Sequence, residues 1–281
     1  MNLWDDFCLF ARAEKLSGDA DPTARVLRRL YYAEKVDAET ALWRTLLYLT
    51  WYHLGSAERV WTATRRPAEL DHVAFVSLPV GIERRSFKGV GGNVLARGFV
   101  RSVLRRAGGE LAPWVASFGS GVAGWGSARR ELESVAGAGP WASWKWAELL
   151  RAVHGVEIVA PDVDVDGKNV AVKTVLGALE TPSAPDVLAC LGARGVELAG
   201  LDELRGVLVR FGALLKGGYY IGHDVDLQME QLVGASRVLW GARDVFPAAY
   251  RGEKAPTPWN GVRKDLKKRY ALDAELVNVW V

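Results

Sequence analysis

The segment Val135-Ala-Gly-Ala-Gly-Pro-Trp141 constrains this chain more than any other. Two glycines stand one residue apart, a proline follows at once, and helical apolar patterns lie on both sides. Glycine enters positive φ without the Cβ clash that other residues meet, so the pair permits a very tight reversal. Proline fits the first turn of a helix, where its missing N–H costs nothing. The segment therefore reads as the turn of a helix-hairpin-helix element. The second helix carries Ala142, Trp146, Leu149, Leu150 and Val153 on its inner face, with Trp141, Lys145 and Glu148 opposite.

The rest of the chain has the same periodicity. Residues 1–20 read as a short helix and a Gly/Asp turn at Ser17-Gly-Asp-Ala-Asp-Pro22, and helices are expected near residues 23–36, 38–54, 56–61, 93–106, 111–118, 126–135, 169–179, 184–193, 201–215 and 222–240. Leu27, Leu30 and Tyr31 share a face of the second. The third is apolar nearly all round, and Ser56 is placed to cap the fourth. In 93–106, Arg97, Arg101 and Arg105 recur every four residues along one face, with Leu95, Phe99 and Val103 on another. Residues 72–83 are β-branched and interrupted by Pro79, so they read as extended. Residues 161–167 form an acidic loop. With no repeat and few strands, the fold class is all-α. Residues 1–246 are expected to form the helical region, as two lobes flanking a cleft, and residues 247–281 a basic C-terminal tail.

Composition removes several function classes. The 281 residues include two cysteines, too few for a four-cysteine zinc site or an iron–sulfur cluster. The four histidines show no ligand spacing, so neither metal nor cofactor is expected. The N-terminus lacks a signal-peptide pattern and no apolar run has membrane-spanning length. A cytoplasmic monomer without a membrane partner is the resulting expectation. A net charge of +3 neither demands nor excludes nucleic acid.

Gly137-Ala-Gly-Pro-Trp-Ala142 followed by a helix resembles the hairpin of helix-hairpin-helix DNA glycosylases, the alkyladenine type in particular. Those proteins carry an essential aspartate in a loop after the hairpin helix. Asp162, in Ala160-Pro-Asp162, lies 23 residues beyond Gly139. The lysine of the bifunctional branch would fall at Trp141. A longer resemblance is to the phage α-glutamyl/putrescinyl thymine pyrophosphorylases, glycosylase-like amino acid:DNA transferases. It runs from Trp43-Arg-Thr-Leu-Leu-Tyr-Leu-Thr-Trp-Tyr-His-Leu54 through Leu78-Pro-Val-Gly-Ile-Glu-Arg-Arg85 and the hairpin to Tyr219-Tyr-Ile-Gly-His-Asp-Val-Asp-Leu-Gln-Met-Glu-Gln-Leu232. This resemblance implies a helix-hairpin-helix DNA glycosylase-like fold. It also implies a reaction in phage DNA, in the host cytoplasm, in which an amine replaces the pyrophosphate of 5-pyrophosphoryloxymethyluracil.

Chemistry on a paired base requires flipping it from the stack. Gly137, Gly139, Lys145, Arg97 and Arg101 are the candidates for gripping double-stranded DNA. Trp51, Tyr52, Trp141 and Trp144 are candidates for stacking. Arg84, Arg85 and Lys88, in the most basic stretch, suit an anionic leaving group. A carboxylate can hold the amine donor's ammonium and accept its proton. Asp162 is the first candidate for that role, with Asp224 and Glu230 beside His223 as a second group. Each residue also has a plainer reading: Asp162 as a solvated loop acid, the arginine stripe as a solvated face, Trp51 and Tyr52 as core, and His223 as a helix-start cap. The alternatives to a transferase are a monofunctional base-excision glycosylase and a non-enzymatic DNA-binding module.

Overall fold

The computed structural model describes residues 3–17, 24, 27–28, 30–31, 35–52, 54–72, 87, 91–163, 170–181 and 183–215. Within them the chain is helical, without a β-strand. Its one isolated β-bridge joins Gly121 to Ile158. The helices are α1 (Leu3–Ser17), α2 (Ala38–Trp51), α3 (Leu54–Ala63), a 3-10 turn (Pro67–His72), α4 (Gly92–Arg106), α5 (Leu111–Ala116), α6 (Gly121–Glu133), α7 (Gly139–His154), α8 (Val170–Ala178), α9 (Ala184–Ala193) and α10 (Leu201–Leu215). Among the described residues, no helix is long and apolar enough to cross a membrane.

The chain divides into two compact units. One takes in the described residues of 23–159. At its centre is α2, whose residues from Ala41 to Trp51 are all buried, as its nearly all-round apolar pattern anticipates. Asp37 caps this helix by accepting from Thr40 N at 2.8 Å, and that bond holds its carboxyl below the ordinary aspartate range. Glu39 reaches across to α5, where its two oxygens accept the Leu111 and Ala112 amides at 2.8 and 2.7 Å. A side chain of α2 thus satisfies first-turn donors of another helix. Trp125 of α6 meets Trp144 of α7 edge to face at 5.1 Å, and Trp114 stacks on Trp146 at 6.1 Å.

Between α2 and α3 lies a buried ion pair. Arg44 Nη2 stands 2.6 Å from Glu58 Oε2 of α3, both side chains essentially inaccessible, with the guanidinium 3.9 Å from the Trp61 ring centre. Next to it, Tyr31 Oη and His154 Nε2 both approach Thr45 Oγ1, at 2.6 and 2.9 Å, while Thr45 donates to the Ala41 carbonyl.

The other unit takes in the described residues of 1–22 and of 160–215. Phe7 and Phe10 of α1 close on Phe211 of α10 at 5.1 and 5.3 Å, over a core of Val172, Val175, Val187, Leu191 and Leu204. Arg210 Nε and Glu14 Oε2 form a second buried pair at 2.6 Å. A Cβ at Gly212 would stand 3.1 Å from Ala171, so a glycine lets α10 close on α8.

Several details differ from the sequence expectations. Helix α3 begins at Leu54, which puts Ser56 in its first turn, buried, rather than at its cap. Helix α6 begins at Gly121, ahead of the expected 126. The buried face of α4 is Ala96, Phe99, Val100 and Val103, while Leu95 is 56% exposed. The extended reading of residues 72–83, apart from His72 in the 3-10 turn, lies outside the described residues. So do the helix at 222–240 and the boundary between residues 246 and 247.

Candidate functional site

The hairpin is built by local bonds. At the end of α6, Val135 N donates to Leu132 O at 2.9 Å and Ala138 N to Val135 O at 3.1 Å. Val135 and Ala138 are buried, and Ala136, Gly137, Gly139 and Pro140 face solvent. Gly137 has φ +85°, Ala138 φ −73° and ψ −56°, and Gly139 φ +57°. Alternation between left- and right-handed backbone of this kind turns successive amides toward one concavity, which suits an anion. Helix α7 then starts with proline in its first turn and no side-chain cap. The turn is braced from both helices: Ser143 Oγ lies 2.6 Å from Glu133 Oε1, and Arg129 Nη2 donates to the same carboxylate oxygen at 3.0 Å.

Beneath the turn is aromatic packing. A Cβ at Gly137 would lie 3.4 Å from the Phe87 ring and 3.9 Å from Phe99, which is ordinary contact, so backbone conformation rather than space calls for glycine there. Beside it, Trp141 is 37% exposed and meets Tyr52 edge-on, with centroids 4.8 Å apart. Tyr52 closes α2 in left-handed conformation at φ +49°, and Tyr48 supports it at 5.4 Å. The solvent-facing glycines of the turn, Trp141 and the half-buried Tyr52 therefore form one patch of backbone and aromatic rings, in which the Ala138 amide is already bonded to Val135 O.

Three other sequence candidates take different places. Trp51 is fully buried, its indole N–H donating to Asn93 Oδ1 at 3.1 Å, so it supports the patch from inside rather than stacking on a ligand. Trp144 is likewise a core residue against Trp125. Lys145 does not lie on an outward face. It is 4% exposed, with its ammonium 3.2 Å from Glu148 Oε1, because α7 is buried on almost every side. A buried, carboxylate-bound lysine offers DNA no charge.

Arg101 of α4 is exposed and Arg97 half-buried. Asp162 belongs to the other compact unit. It is exposed, its Oδ1 accepting the Val163 amide at 2.6 Å, and Val163 is anchored in that unit's core. Arg84, Arg85, Lys88, His223, Asp224 and Glu230 lie outside the described residues. Among the described residues, no cluster of His, Cys, Asp and Glu has an arrangement able to hold a metal ion.

The group centred on Thr45 was not anticipated. Its signal was a lone arginine, Arg44, in an otherwise apolar helix; a buried cation needs a partner, and Glu58 is that partner. Burial pushes the His154 imidazole down to about 4 and the Tyr31 phenol upward. No protein-family model and no curated protein matches the chain.

Proposed function

We propose that this chain is a DNA-modifying transferase that replaces the pyrophosphate of 5-pyrophosphoryloxymethyluracil with an amine. The observation carrying its DNA-binding part is the turn in which Gly137 and Gly139 face solvent in left-handed conformation, ahead of a helix N-terminus without a side-chain cap. Phosphate oxygens are suited to such amides and to the positive end of a helix. Trp141 and Tyr52 supply aromatic surface next to that grip, where an unstacked base can rest. The transfer step itself rests on the resemblance to the phage pyrophosphorylases.

In that step the amine nitrogen attacks the exocyclic methylene carbon. A C–N bond forms, the C–O bond breaks, and pyrophosphate leaves with the bonding electrons. The nitrogen sheds a proton, which Asp162 is proposed to accept. Arg84, Arg85 and Lys88 are proposed to stabilise the departing anion, and Asp224, Glu230 and His223 to hold the amine.

The test is incubation with 5-pyrophosphoryloxymethyluracil DNA and candidate amines, then nucleoside digestion and mass analysis. An amine adduct that disappears with Asp162→Asn supports the proposal, and unchanged DNA refutes it. Trp141, standing where a lyase lysine would be, favours a second reading as a monofunctional glycosylase, for which the product is free base and an abasic site.

A further inference from the structure

A cavity of about 330 Å3, lined by no residue of the hairpin, lies where the start of α2, the end of α3 and the loop before α5 meet. Charges of both signs line it. Arg65 and Arg66 follow α3, Asp37 and Glu39 belong to the start of α2, and Glu110 precedes α5. Opposite charges this near would ordinarily pair. Here Arg65 and Arg66 have no carboxylate partner among the described residues, and Glu110 opens α5 without a side-chain capping bond.

The two signs stay apart because each is fixed by something else. The Arg65 guanidinium lies 3.7 Å from the centre of the Trp61 ring, and that of Arg44 lies 3.9 Å from it. Two cations so near one centre need opposite faces, so the buried Trp61 is clamped between a core arginine and a surface one. Asp37 is held by the Thr40 amide and hydroxyl, at 2.8 and 3.0 Å. Glu39 is held by the two amides of α5. Each carboxylate oxygen still has a lone pair to offer, and the Arg65 fork keeps its donors. Side chains fixed in advance lose little freedom when they take a ligand.

The balance of charge selects the ligand. A phosphate dianion would meet three carboxylates. A diamine would meet two guanidinium groups. Among the described residues no group of His, Cys, Asp and Glu is arranged to hold a metal ion. A molecule carrying both an ammonium and a carboxylate satisfies both walls at once. Pro67 and Ala68 leave room for only a short apolar side chain beside it. We propose that this cavity binds a small zwitterion of the α-amino acid class, its carboxylate on Arg65 and Arg66 and its ammonium on Asp37 and Glu110. The site depends neither on the hairpin nor on the transfer reaction.

The test is saturation-transfer NMR on the methyl group of L-alanine with the full chain, beside propionate and L-alaninamide, which each lack one of the two charges. L-alanine is expected to bind, and each control at least about tenfold more weakly, the loss of one charge-assisted contact. Arg65→Gln with Arg66→Gln is expected to abolish binding, with the fold checked by thermal melting because Trp61 loses its cover. Glu110→Gln changes an exposed loop residue, should leave the melting temperature alone, and is expected to weaken binding about tenfold. It keeps the proposal testable if the arginine variant unfolds. No transfer to L-alanine in the wild type, or wild-type affinity in Glu110→Gln, overturns the proposal. Propionate binding as well as L-alanine reduces the site to an anion contact, and L-alaninamide doing so reduces it to a cation contact; either also overturns it.

Discussion

His154 is a point where two physical effects of opposite sign compete. It is the last residue of α7, beside the left-handed cap Gly155, where the helix dipole favours a cation by up to about 1 kcal/mol. Burial opposes that charge. The ring stacks on Tyr31 at 5.7 Å, and its Nε2 sits 2.9 Å from Thr45 Oγ1. Thr45 spends its proton on the Ala41 carbonyl, so Tyr31 and His154 both donate to it, which fixes the neutral imidazole with its proton on Nε2. Burial wins, and the folded-state value falls to about 4. An unfolded histidine titrates near ~6.5, so between those values the unfolded chain binds more protons. Stability is then fully present above pH ~6.5 and is lost as pH falls toward 4. At 1.36 kcal/mol per unit, the loss is at most about 3 kcal/mol. The assay is urea unfolding at several pH values between 7.5 and 4.5, read by tryptophan fluorescence, to which the buried Trp43, Trp51, Trp125, Trp144 and Trp146 contribute. His154→Gln should flatten the curve in this window. Equal pH dependence in variant and wild type refutes the reasoning, and a stability that rises on acidification shows that the dipole dominates.

Other perturbations follow from the same geometry. Glu58→Gln leaves Arg44 buried without its counter-charge and should cost about 3–5 kcal/mol in the same urea assay, while Arg44→Met with Glu58→Leu should recover most of that loss. Gly137→Ala keeps ordinary contacts with Phe87 but forces a Cβ into left-handed backbone, at a cost of about 1–2 kcal/mol by thermal melting. Ser143→Ala should cost about 1 kcal/mol, because Glu133 is solvent-facing and keeps Arg129; it should also speed hydrogen exchange at Ala138 if Ser143 braces the turn.

Helices were legible where apolar period and local punctuation agreed. Asp37, Gly155 and Ser183 each mark a helix end by chemistry visible in the sequence: a side-chain oxygen for a first-turn amide, or a left-handed cap. Helix α6 started earlier than its composition indicated, because Gly121, Gly124 and Gly126 lower its propensity. Gly124 is nevertheless required, since a Cβ there would fall 2.7 Å from the Gly119 carbonyl oxygen. Tertiary contact, which periodicity does not encode, overrode propensity.

The site was legible in its backbone and not in its side chains. The glycine-proline spacing could specify a turn because the conformations of Gly137 and Gly139 depend on three or four neighbouring residues. Lys145 had no such local determinant. Its helical position fits an outward face, and only the surroundings of α7 bury it against Glu148. Trp51 and Tyr52 make the same point within one step of chain. Both are aromatic and adjacent, yet helical geometry through Trp51 points it inward to Asn93, while left-handed backbone at Tyr52 turns the next ring toward Trp141. The aromatic surface beside the hairpin is therefore set by where α2 ends.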